Sequence, residues 1–114
     1  MASRAKVLHW TPQEDSNLSR DRAQPDPVVL VVEIYQHDPV IAHVLIQMHP
    51  FHTAQCLPPN MTLTILDQQK NSILQATSRP IDNYLHFPFK GKAGEDFQVN
   101  ITLDGFEINE YFQI

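Results

Sequence analysis

Apolar residues along this chain recur at every second position in short runs, separated by prolines and small polar turns, which is the pattern of half-buried strands. Residues 28–36 open with Val28-Val29-Leu30-Val31-Val32, apolar on both phases, as expected for a strand in the middle of a sheet. His37-Asp38-Pro39 turns the chain. The strand that follows, 40–48, puts Val40, Ala42, Val44, Ile46 and Met48 on one face, with His43, Leu45 and Gln47, then His49, on the other. The two segments predict a hairpin. Prolines in residues 50–60 remove backbone donors and predict a loop. Strands follow at 61–67 and 73–79 around the polar turn 68–71, where Asn71 is the residue suited to a left-handed backbone.

Residues 84–89 alternate Leu85, Phe87 and Phe89 inward against Tyr84, His86 and Pro88, and 90–95 read as a glycine-punctuated loop. Residues 97–103 alternate Phe97, Val99, Ile101 and Leu103 inward. Asp104-Gly105 is a tight hairpin signal, and 106–114 form the closing strand. At the amino end, Val7 and Leu8 beside Trp10 predict a short first strand ended by Pro12. Residues 11–27, rich in polar residues and proline, form a long polar loop or linker.

No segment holds a helical period, and turns recur at sandwich-like spacing. The pattern predicts an all-β, single-domain chain over residues 1–114: an antiparallel β-sandwich of seven to eight short strands, for which an immunoglobulin-like topology is one candidate. One residue breaks the alternation. Glu110 stands in the inward phase of the closing strand, so either a bulge turns it outward or a cation such as Lys6, Arg79 or Lys90 meets it.

Composition narrows the readings. Apolar residues make up 42% and charged residues 18%, which excludes the low-hydrophobicity, high-charge class of disordered chains. A formal net charge of −5 opposes binding to a phosphate backbone, so nucleic acid is not an expected partner. Cys56 is the one cysteine, so neither an intramolecular disulfide nor a cysteine-based zinc site is available. The amino-terminal residues lack the apolar core of a signal peptide, and no apolar run is long enough to span a bilayer; a cytoplasmic location is the expectation.

Several segments also carry a resemblance: Arg4-Ala5-Lys6-Val7-Leu8, Leu57-Pro58-Pro59-Asn60-Met61-Thr62-Leu63, Asp82-Asn83-Tyr84-Leu85, residues 89–97 and residues 107–114. Together, in order over most of the chain, they resemble the carboxy-terminal β-rich part of a cyanobacterial family of unknown function. The resemblance implies a bacterial intracellular module, brings no catalytic residues, and implies a link to stress or sigma-factor signalling.

Six histidines invite a metal reading, for which His49 and His52, with His37 or Asp38, are the weak candidates. His43 and His49, six residues apart on an extended strand, are separated by about 20 Å and cannot share an ion. Cys56 and His52 lack the orienting group and oxyanion donors that a nucleophile requires. The three glycines match no phosphate-binding loop. The expectation is accordingly no cofactor and no catalytic site. Trp10, Tyr35, His43, Leu45 and Phe51 are amphipathic or apolar groups that the core does not obviously need, and they form the candidate contact surface. The sequence therefore predicts a non-enzymatic interaction or regulatory adaptor module that meets another protein or a second copy. The alternatives are a small metal-dependent enzyme using the histidines and a glycan-binding sandwich stacking sugars on Trp10 or Tyr35.

Overall fold

The computed structural model describes residues 2–12, 26–36, 38–51, 57–58, 60–79 and 84–114. Among them are eight strands of five residues or more and one two-residue pairing: β1 (Ala2–Leu8), β2 (Thr11–Pro12), β3 (Val28–Gln36), β4 (Ile41–Pro50), β5 (Thr62–Leu66), β6 (Ser72–Thr77), β7 (Leu85–Lys92), β8 (Asp96–Leu103) and β9 (Phe106–Gln113). They form two sheets, ordered β1-β3-β4-β7 and β2-β9-β8-β5-β6, with every pairing antiparallel.

Alternation sends one phase of each strand into a shared core. Val28, Leu30, Val32, Val44, Ile46 and Met48 from the first sheet meet Leu63, Ile65, Val99, Ile101 and Ile108 from the second, all within one buried cluster. Phe97 joins the layers at one end, edge-on to Phe89 (5.4 Å between centroids) and stacked on Phe112 (5.2 Å). The fold is thus the antiparallel β-sandwich that the alternation implies.

The predicted β3–β4 hairpin pairs from Val28 opposite Pro50 to Gln36 opposite Ala42. Its turn is held by the Asp38 carboxylate, which accepts from the Val40 and Ile41 amides, both at 2.7 Å. Asp104 (φ 49°) and Gly105 (φ 84°) adopt the left-handed pair that their sequence signals.

Three local readings differ. β1 is seven residues long rather than a short Val7-Leu8 piece, because β3 supplies a ladder even for its polar amino-terminal half. β7 continues through Lys90, Gly91 and Lys92, which pair with His43, Ala42 and Ile41. Pro88 is accommodated inside it because β7 is an edge strand and a missing donor can face away from the sheet. In the β5–β6 turn the left-handed residue is Lys70 (φ 67°), not Asn71. The Asp67 carboxylate accepts from the amides of Gln69 and Asn71, each at 2.9 Å, so the chain must swing at the residue between them. Of the segment 11–27, Thr11 and Pro12 pair with Glu107 and Phe106, while residues 13–25 lie outside the described residues.

Candidate interaction surface

The two outward faces of the sandwich differ in chemistry. On the second sheet the outward phase is polar over most of its area, with Leu66, Ile73 and Tyr111 as its apolar or aromatic members at one end, and the polar side chains bind one another. The Thr62 and Thr77 hydroxyls lie 3.2 Å apart, Gln75 Nε2 donates to Thr64 Oγ1 at 3.2 Å, and Gln98 and Asn100 both donate to Asn109 Oδ1, at 2.8 and 2.7 Å. Lys70 Nζ donates to Gln98 Oε1 at 2.9 Å and stands 5.2 Å from the Tyr111 ring centre. These groups satisfy each other.

The outward face of the first sheet is aliphatic across its middle. Register aligns Val7 with Val29 and His49, Ala5 with Val31, Gln47 and His86, and Ser3 with Glu33, Leu45 and Pro88. Val7, Val29, Val31 and Leu45 are half-buried among their neighbours on the face, while Ala5 and Pro88 are exposed. Toward the hairpin end, Tyr35 is 41% exposed, Val40 58% and Ile41 38%. A shallow groove of about 340 Å³ runs there between Tyr35, His43, Leu45, Pro88 and Lys90. Histidines rim the strip. His49 stacks on Tyr84 at 5.6 Å and shares a 3.0 Å hydrogen bond with Gln47.

The structure brings together three of the five contact candidates read from the sequence: Tyr35, His43 and Leu45 line this one groove. Phe51 is half-buried just beyond β4. Trp10 does not belong to any surface. It is 2% exposed, part of the core cluster, with its Nε1 donating to the Asp26 carbonyl at 2.9 Å, so it offers no face for a sugar or a partner. Val29 and Val31 escaped the reading because two valines in a doubly apolar strand look like core, and Pro88, outward by its strand's alternation, is not tied to this face in the sequence because sheet order is not local.

Tyr35 carries an electrostatic coupling on this face. Its hydroxyl donates to Glu33 Oε2 at 2.7 Å, two residues back on the same face. That bond, reinforced by partial burial and by the carboxylate's charge, holds the phenol above the ordinary tyrosine range. A raised value in the folded state contributes stability that is fully present below the unfolded value and is lost as pH rises through the folded one. In an alkaline absorbance titration, the phase that Tyr35→Phe removes should move to lower pH in Glu33→Gln; an unmoved phase would refute the coupling.

Among the described residues no three His, Cys, Asp or Glu side chains converge on a common point. Of the metal candidates, His49 is engaged with Gln47 and Tyr84 and Asp38 with the hairpin turn, while His37 and His52 lie outside the described residues, as does Cys56, the thiol weighed as a nucleophile. Glu110 is resolved differently from the bulge reading. β8 and β9 pair without a register shift through Val99 and Glu110, so the carboxylate keeps its inward phase and is met by Lys6 Nζ at 3.0 and 3.2 Å. With Lys6 58% and Glu110 22% exposed, the pair contributes about 0–1 kcal/mol.

No helix among the described residues is long and apolar enough to cross a membrane. No curated protein and no solved structure matches the chain. A family model does match, over residues 8–113, that is, from the last residue of β1 to the last of β9. The chain belongs to the family described as Protein of unknown function (DUF1822).

Proposed function

We propose that this chain is a non-enzymatic interaction module, a subunit or regulatory adaptor in a bacterial complex, and that it meets its partner through the outward face of the first sheet. The observation that carries this reading is the contrast between the faces. Polar groups on the second sheet pair with one another, whereas the first sheet spreads Val7, Val29, Val31, Leu45 and Pro88 over all four strands with a groove at one end. A contiguous apolar patch with a polar rim is the usual composition of a contact surface. The partner is a second protein or another copy of this chain. The sequence resemblance extends the proposal to a cyanobacterial setting, with the module at the carboxy-terminal end of longer relatives, and to stress or sigma-factor signalling in the cytoplasm.

Native purification followed by light scattering tests it, with Leu45→Glu on the proposed face and Thr64→Glu on the opposite one. A defined complex or oligomer that survives Thr64→Glu and is lost in Leu45→Glu is the expected result. Recovery of a lone monomer, or equal loss in both variants, would sink the reading.

A further inference from the structure

A separate feature lies on the margin where β1 of one sheet approaches β9 of the other. The residues opposite Arg4 and Lys6 in the ladder are Val32 and Leu30, both buried in the core, so the two cations occupy the inward phase of an edge strand. Lys6 is satisfied by Glu110. Arg4, two residues along the strand, has no carboxylate partner among the described residues and helps to line a cleft of about 380 Å³. Val32, Ile34 and Phe112 supply the apolar part of its lining, beside Ser3, Tyr111 and Gln113, and its volume falls in the range of roughly 300–1,000 Å³ usual for small-molecule sites. The site thus sets a cation without an acidic partner among the described residues beside a cleft of mixed apolar and polar lining, in a chain whose net charge is −5.

The geometry points to a binding site for a small anionic amphiphile: an oxyanion head on a short alkyl chain. The planar Arg4 guanidinium matches a carboxylate or phosphate bidentately, and the alkyl chain replaces water over Val32, Ile34 and Phe112. Glu110 does not repel the head, because Lys6 neutralises it. This site shares only Ser3 with the rows of the sheet face discussed above and none of the apolar residues proposed for contact there, so the two proposals stand or fall separately. An inward charge can also simply discourage edge-to-edge pairing of sandwiches, and that role requires no ligand.

Titration of the full chain with sodium decanoate and with monodecyl phosphate, followed by calorimetry and amide NMR, separates these roles and the two head groups. Decyltrimethylammonium, with the same alkyl chain and opposite charge, serves as control. One-site saturation by at least one of the two anions is expected, with shifts concentrated on β1 and β9. Arg4→Gln, on an exposed side chain, should weaken it by about tenfold or more, as loss of a charge-assisted hydrogen bond implies. The tighter anion identifies the head group. Failure of both anions to saturate, equal binding of the cationic control, or unchanged affinity in Arg4→Gln would each overturn the assignment.

Discussion

Replacing Trp10 by alanine should destabilise the fold by about 3–5 kcal/mol, the range for removing a large aromatic side chain from a packed core. The indole is 2% exposed and packs in the same cluster as Leu8, Val28, Leu103 and Phe106, where the described chain crosses from the first sheet to the second through β2. It also donates to the Asp26 carbonyl just ahead of β3. Alanine leaves a cavity and strips that carbonyl of its donor, whereas Trp10→Phe keeps most of the packing and loses chiefly the hydrogen bond, for about 1–2 kcal/mol. Against a total of roughly 5–15 kcal/mol for a domain of this kind, the alanine variant is severely weakened. Urea denaturation followed by far-ultraviolet circular dichroism measures both variants. In the parent, Trp10 is the single tryptophan, so its emission should move to longer wavelength on unfolding. An alanine variant within about 1 kcal/mol of the parent would mean that the indole is not core.

Trp10 also shows where sequence reading stops. Period-two alternation is a local signal, and it marks the inward phase of a segment that alternates by itself, as Phe97, Val99, Ile101 and Leu103 do; it fails at Val40, which the same rule sends inward but which lies in the hairpin turn, 58% exposed. What covers a residue outside such a run is set by chain elements far away. The partner of Trp10 is a carbonyl 16 residues on, and that of Glu110 is a lysine 104 residues back. The cation was among three that composition allowed, and only the meeting of β1 and β9 selects Lys6. Strand ends were least legible, since pairing rather than propensity decides them: Gly91 and Lys92 join β7 because Ala42 and Ile41 offer a ladder. The candidate contact face was half visible. Tyr35, His43 and Leu45 share a phase or a hairpin, whereas the contribution of Val7 and Pro88 depends on sheet order, which no local pattern encodes.

Neighbouring residues on β4 provide the sharpest test of which face is which. Ile46 has no exposed surface and points between the sheets, so Ile46→Ala should cost about 2–5 kcal/mol. Leu45 lies on the outward face between Glu33 and Pro88, half-covered only by its own sheet, and Leu45→Ala should cost under about 1 kcal/mol in the isolated chain. Two adjacent aliphatic residues on one strand thus differ several-fold in their effect, because the pleat sends one into a two-layer core and the other to solvent. The inequality matters for function as well as for folding. If Leu45 contributes little to stability yet its replacement by glutamate abolishes assembly, its apolar character serves a contact outside this fold. If instead Leu45→Ala and Ile46→Ala shift the urea midpoint equally, another part of the chain already covers the outward face, and no partner is needed to explain the valines beside it.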